Sequence, residues 1–72
     1  MAGNLPMRSV EVTRAGDLSI WDQIGEMRRW LDDAGIRATD LHAVHVLRGR
    51  VTFSATFEQA ADANRFLRAF GD

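Results

Sequence analysis

The chain has 72 residues, no cysteine and a formal net charge of −1. A chain of this length forms one small domain with a limited core, and without cysteine it has neither disulfides nor thiolate metal sites. The small net charge gives no field that would gather nucleic acid or an anionic membrane surface. Because the sequence contains neither a run of about 20 apolar residues nor a secretory signal, we predict a cytoplasmic protein that does not contact a membrane and uses no cofactor.

The first predicted element is a half-buried strand. Residues 1–6 are predicted to be a flexible leader, and residues 7–72 a single α+β domain. From residue 7 to residue 14 apolar and polar side chains alternate, which places Val10 and Val12 on one face. This period of two is typical of a strand with one face buried.

A helix is predicted from about Ile20 to Ala34. Ser19 is a good N-cap, and Gly35 can adopt the left-handed conformation that ends a helix. Trp21 and Trp30 are predicted at opposite margins of the buried stripe, where tryptophan is either the edge of a core or an interface anchor. The stripe itself repeats at spacings of three and four and comprises Ile20, Ile24, Met27, Leu31 and Ala34.

A β-hairpin is predicted to follow, with a two-residue loop at Gly49. Its second strand is predicted to bury alternate residues, namely Val51, Phe53, Ala55 and Phe57. A loop of two residues pairs even positions of one strand with odd positions of the other. The first strand is therefore predicted to direct three residues to the core, namely His42, Val44 and Val46. Its other residues are predicted on the opposite face, namely Ala43, His45 and Leu47.

A final helix is predicted to end at Gly71, and Thr56 with Gln59 gives a possible capping box at its start. Its predicted buried stripe is Ala60, Ala63, Phe66, Leu67 and Phe70. The order β-α-β-β-α predicts a two-layer α+β sandwich in which both helices cover one face of a three-stranded sheet. Two strand orders are compatible with it: 1-2-3, or the 2-3-1 order of a ferredoxin-like fold that lacks its last strand.

The predicted sheet has one face without a helix and two edges without a neighbouring strand. Such surfaces, in a chain whose core is small, are typical of a domain that associates with another chain. We therefore predict a non-enzymatic interaction module that binds a second copy of itself, as a homodimer, or a larger protein. It would use the uncovered face or an edge strand. The predicted contact residues are Ser9, Glu11, Thr13, Ala43, His45, Leu47, Thr52, Ser54 and Thr56.

Other functions have less support in the sequence, which contains no catalytic constellation. His42 and His45 are three positions apart on a predicted strand, so they are expected on opposite faces and not around one metal ion. Residues 48–53 resemble part of the RNA-recognition motif, but Arg50 and Thr52 stand where aromatic rings should stack bases. Binding of RNA or DNA is therefore not expected. A small-molecule-sensing regulatory domain is the alternative to an interaction module, and it rests on fold analogy.

Several short phrases resemble short bacterial proteins of the same β-α-β-β-α layout. They are residues 30–36, 51–53, 57–60, 66 and 69–71. The resemblance extends over residues 20–71 and consists of residues with structural roles, such as helix caps and core aromatics. It implies no activity and no binding residue.

Overall fold

A computed structural model describes residues 7–71; the predicted leader, residues 1–6, and Asp72 lie outside the described residues. The elements are β1 (Arg8–Ala15), α1 (Ile20–Ala34), β2 (Ala38–Leu47), β3 (Arg50–Phe57) and α2 (Ala60–Phe70). The strands form one sheet in the order β1-β3-β2, with β3 antiparallel to both neighbours. This is the second predicted order, 2-3-1. Within residues 7–71, no helix has the length and apolar character that crossing a membrane requires.

Both helices cover the same face of the sheet, as predicted, and share one core with it. Alternate residues of β3, including Phe53 and Phe57, are fully buried beneath them. Trp30 of α1 closes the space between the helices, with its ring centroid 6.2 Å from that of Phe66 and 5.5 Å from that of Phe70. Edge-to-face rings at these distances stabilise the core beyond their buried area. The predicted place of Trp30 at the core edge is confirmed.

Local sequence explains both ends of α1. The Oγ atom of Ser19 accepts a hydrogen bond from the backbone N–H of Asp22 at 3.0 Å, which satisfies one of the free donors of the first turn. At the other end Gly35 has φ +70°, and the N–H of Ile36 donates to the Leu31 carbonyl at 2.9 Å. The helix therefore ends in a Schellman motif, and its predicted bounds are confirmed.

A buried glutamine fixes the connection between β1 and α1. Gln23 is 2% exposed, and its Nε2 donates to the carbonyl oxygens of Ala15 at 3.1 Å and Leu18 at 3.2 Å. Loop carbonyls that are removed from water need such partners. One side chain of the helix therefore holds both ends of the preceding loop.

The β1–α1 loop also lies directly against the β2–β3 turn. Arg48 and Gly49 both have positive φ, as a two-residue type I′ turn requires. The N–H of Gly16 donates to the Gly49 carbonyl at 2.7 Å. A Cβ atom on Gly16 would lie 2.9 Å from that same oxygen, so only glycine allows the two backbones to approach this closely.

The second helix differs from prediction at its start and along one margin. Thr56 lies inside β3, and the N-cap Gln59 makes no hydrogen bond through its side chain, so the predicted capping box is wrong. Ala60 is exposed and Leu67 is 40% exposed. The buried stripe is consequently narrower than predicted, and Phe66 forms its centre.

The register of β2 corrects the predicted face of several residues. Next to the turn, Val46 lies opposite Val51, as the two-residue loop predicts. The pairing then shifts by one residue between Ala43 and His45, because a β-bulge inserts Val44 there. A shift of one residue exchanges the two faces of everything beyond it.

As a result, Ala43 lies opposite Phe53 on the core face, and His42 lies opposite Ser54 on the uncovered face. Both placements are the reverse of the predicted ones. Val44 and Val46, predicted in the core, are exposed, and Leu41 is buried instead. A second shift lies between Ala38 and Asp40, at the start of β2.

Gly25 lies inside α1 with open space around it, since a Cβ atom built there meets nothing within 4 Å. We expect Gly25→Ala to stabilise the fold by about 0.5–1 kcal/mol, because alanine loses less backbone entropy in a helix. Thermal unfolding followed by circular dichroism should show a rise of about 4 °C in Tm. As a matched control, Gly35→Ala makes the same change at φ +70° and should lower Tm. An unchanged Tm for Gly25→Ala would contradict this prediction.

Candidate interaction surfaces

Most of the predicted contact residues do share the uncovered face of the sheet. Across it, Glu11 lies opposite Ser54 and Thr13 opposite Thr52, and His45 reaches Thr52 from the other side. Ala43 is the exception, because the bulge turns it toward the core. His42 takes a place on this face that the sequence did not predict.

Most hydroxyl groups of this face form hydrogen bonds with each other. The oxygens of Ser9 and Thr56 are 2.9 Å apart, and those of Thr13 and Thr52 are 3.0 Å apart. Thr52 is only 7% exposed. A partner docking here would gain little from apolar burial, which is the main favourable term in association.

The bulge also places His42 and His45 on the same face, so the prediction that they point to opposite faces is wrong. Asp40 Oδ2 lies 2.6 Å from His42 Nδ1, and both side chains are about half exposed. Within residues 7–71, no group of three histidine, aspartate or glutamate side chains is arranged to hold a metal ion. An exposed pair of this kind contributes little to stability.

The two edges of the sheet differ in regularity. Every residue of β1 from Arg8 to Ala15 pairs with β3 in uninterrupted register. The register of β2 is broken twice, between Ala38 and Asp40 and between Ala43 and His45. Bulges of this kind distort an edge and hinder a further strand from pairing with it.

Five exposed apolar side chains belong either to the second half of β2 or to the start of α1 and the loop before it. Trp21 is 80% exposed, Leu47 65% and Val46 57%, whereas tryptophan in a small monomer is ordinarily well covered. Leu18 and Val44 are also exposed. We call this region the apolar corner; Val46 lies there on the core face of the sheet and Leu47 on the uncovered face. It comprises Leu18, Trp21, Val44, Val46 and Leu47.

Topology brings these residues together. The bond between Gly16 and Gly49 sets the start of α1 beside the turn, next to the end of β2. Nine residues separate Trp21 from Trp30, which amounts to half a rotation at about 100° per residue. Because Trp30 faces α2 and α2 lies over β1 and β3, Trp21 points to the opposite side, toward the β2 edge.

Trp21 is therefore no part of the core edge, and its role as an interface anchor stays a prediction. Its helical position is 120° from that of Met27, at the centre of the buried stripe. That angle was available from the sequence, but the position of α2, which decides which margin is covered, was not.

One concave region adjoins the C-terminal end of α1. It is an open groove of about 410 Å³ whose walls include Arg28, Asp32 and Arg37. The volume lies within the range of ligand pockets, which however enclose most of their ligand. The small-molecule alternative stays a prediction.

No protein-family model matches the sequence, no curated protein matches it, and no solved structure matches its fold. Two surfaces of the molecule are therefore candidates for binding on their chemistry alone, the apolar corner and the uncovered face. Of these, the corner has the larger exposed apolar side chains, and apolar burial supplies most of the free energy of docking.

Proposed function

We propose that this domain is a non-enzymatic interaction module that binds an amphipathic helix of a larger protein at its apolar corner. The observation that carries this proposal is the 80% exposure of Trp21 near the start of α1, together with the exposure of two bulky apolar side chains at the end of β2, Val46 and Leu47. Tryptophan at the centre of an apolar patch is the residue most often found at binding hot spots. Cytoplasmic location remains part of the proposal.

The irregular register of β2 favours a helix over a strand as the bound segment. An added strand would need a continuous row of backbone donors and acceptors, and the bulge at Ala43 and His45 interrupts that row. An amphipathic helix needs only apolar side chains to contact. Full burial of one exposed leucine or valine side chain stabilises a complex by about 1.5–3 kcal/mol. The corner has several such side chains that a partner could bury.

Charges beside the corner indicate what should flank the apolar stripe of the partner. Asp17 and Asp22 are exposed on either side of Leu18 at the start of α1. Basic residues next to the partner's apolar stripe would complement them and speed association. Acidic residues would complement the exposed Arg48 of the turn after Leu47 in the same way, so residues of both signs are expected to flank the partner's apolar stripe.

The uncovered face was the predicted contact surface, and Leu47 belongs to both. The corner is favoured because its apolar side chains are free to be buried, whereas the hydroxyls of the face already have partners. RNA or DNA binding stays unexpected, since Arg50 and the buried Thr52 still stand where stacking rings would be needed.

The test is affinity capture from extracts of the source cells, followed by binding measurements with the purified captured protein. We expect Trp21→Ala to weaken the Kd of that complex at least about 30-fold, which corresponds to the 2 kcal/mol threshold of a hot spot. Isothermal titration calorimetry measures the change, and circular dichroism shows whether each variant is folded.

Leu67→Ala is the matched control, because it removes an exposed apolar side chain from the other helix and should leave the Kd unchanged. If the captured protein binds Trp21→Ala and Leu67→Ala equally well, the corner is not the contact surface. If binding instead falls with Thr13→Asp, the uncovered face is the contact surface and the proposal is wrong.

A further inference from the structure

The edge of the sheet formed by β1 points to a second association, separate from the apolar corner. We infer that two copies of this chain pair along β1, in antiparallel orientation, and join their sheets into one sheet of six strands. The residues that carry this inference lie on the opposite edge from β2, so it goes beyond the proposed function and does not depend on it.

β1 is the regular edge of the sheet. Its eight residues pair with β3 without a break and include no proline, and its charged side chains are Arg8, Glu11 and Arg14. Edge charges hinder pairing when like charges meet, so the register of a pair must keep these apart. Within residues 7–71 no strand pairs with the outer side of β1, which presents about 27 Å of backbone donors and acceptors. The β2 edge is interrupted twice by bulges, so β1 is the better edge of the described sheet for extending the ladder.

A second copy satisfies this edge because antiparallel pairing about a two-fold axis joins the same groups from both chains. With the axis perpendicular to the sheet, both helix layers stay on the same side. The two α2 helices, which lie over β1 and β3, then become neighbours across the axis.

Charge selects the register of the pair. In a symmetric pair, the register is centred on the residue that lies opposite the same residue of the partner. Only registers centred in this way keep the apolar and polar faces of the two strands aligned. Centring on Glu11 would set two glutamates opposite each other and Arg8 opposite the partner's Arg14, and like charges directly opposite are destabilising. Centring one residue away removes both clashes.

Of the two neighbouring centres, Val10 is the better one. Both centres set an arginine opposite a valine: a centre at Val10 pairs Val12 with the partner's Arg8, whereas a centre at Val12 pairs Val10 with the partner's Arg14. That arginine is held within its own chain, 3.0 Å from Glu26 and over the ring of Phe70. With Val10 opposite the partner's Val10, Glu11 lies opposite the partner's Ser9, whose hydroxyl can donate to it.

The chain's lack of cysteine makes this geometry directly testable. Directly opposite residues of antiparallel strands have Cα atoms about 4.5–5.5 Å apart, within the range that a disulfide spans. We expect Val10→Cys to form a covalent dimer under mild oxidation at micromolar concentration. Thr13→Cys on the same strand should form at least tenfold less, since in this register its counterpart lies about 20 Å away along the strand.

Val44→Cys, on the bulged edge, is the control for random collision and should also form at least tenfold less. Sedimentation of the unaltered protein should give twice the 8.1 kDa mass of one chain. A monomer at 100 µM, or a dimer in which Val10→Cys cross-links no faster than Val44→Cys, would overturn the inference. Neither result bears on partner binding at Trp21, which is measured separately.

Discussion

Phe66→Ala is expected to leave most of the protein unfolded at 25 °C. Phe66 is fully buried, and its ring centroid lies 5.4 Å from that of Phe57, 5.0 Å from that of Phe70 and 6.2 Å from that of Trp30. Removing a buried phenylalanine ring costs about 3–5 kcal/mol, including the cavity left behind. The total stability of a small domain is of the order of 5 kcal/mol, so one ring accounts for most of it.

Urea denaturation followed by far-UV circular dichroism measures this effect. Leu67→Ala is the matched control, since it truncates the next residue of the same helix at a position that is 40% exposed. It should cost less than about 1 kcal/mol, in line with substitutions away from the core. If Phe66→Ala unfolded cooperatively with a loss similar to that of Leu67→Ala, the aromatic cluster would not be the centre of the core.

The elements that could be predicted from the sequence are those fixed by local chemistry. The bounds of α1 follow from Ser19, Gly35 and the periodic stripe between them, and these interactions all lie within the helix or next to its ends. The buried face of β3 follows from strict alternation between Val51 and Phe57. Short-range signals of this kind specify an element before any tertiary contact exists.

The faces of β2 could not be predicted, because the bulge at Val44 leaves no mark in the pattern of apolar residues. With His42, Val44 and Val46 alternating with Ala43 and His45, the sequence favours an unbroken strand. The structure differs from an unbroken strand because Leu41 and Ala43 lie on the core face, opposite Ala55 and Phe53. Without the bulge, His42 would lie on the core face in place of Leu41 and Ala43.

The candidate site could be predicted only in part, and for a related reason. Leu47 was assigned to a contact surface from its alternation alone. Trp21 and Val46 join it only because the β1–α1 loop is bound to the turn and because α2 covers the opposite margin of α1. Contacts between distant segments decide which margin of an amphipathic element stays uncovered, and no local pattern encodes them.

The second large effect is expected at Gln23, whose role the sequence did not indicate. Its amide is buried and donates to two carbonyl oxygens, those of Ala15 and Leu18. Gln23→Glu keeps the shape of the side chain and replaces the donor with an acceptor. At pH 8 the carboxylate would face both carbonyl oxygens without a donor, and a buried uncompensated charge costs about 3–5 kcal/mol.

The loss should depend on pH in a definite direction. Burial beside two carbonyl oxygens raises the pKa of the introduced carboxyl in the folded state above the value of about 4.3 that it has when unfolded. Below pH 4 the carboxyl is protonated in both states and can donate to one of the carbonyls, so the penalty is small. As pH rises through 4.3 the unfolded state loses its proton first, and the folded state is progressively destabilised.

Urea denaturation at pH 4 and pH 8, each compared with the unaltered protein at the same pH, measures this dependence. Gln23→Met is the control, because it removes both hydrogen bonds without introducing a titrating group. It should cost about 1–3 kcal/mol at both pH values. A loss for Gln23→Glu that is equal at pH 4 and pH 8 would show that the side chain at position 23 reaches water, and that the loop before α1 is held by other contacts.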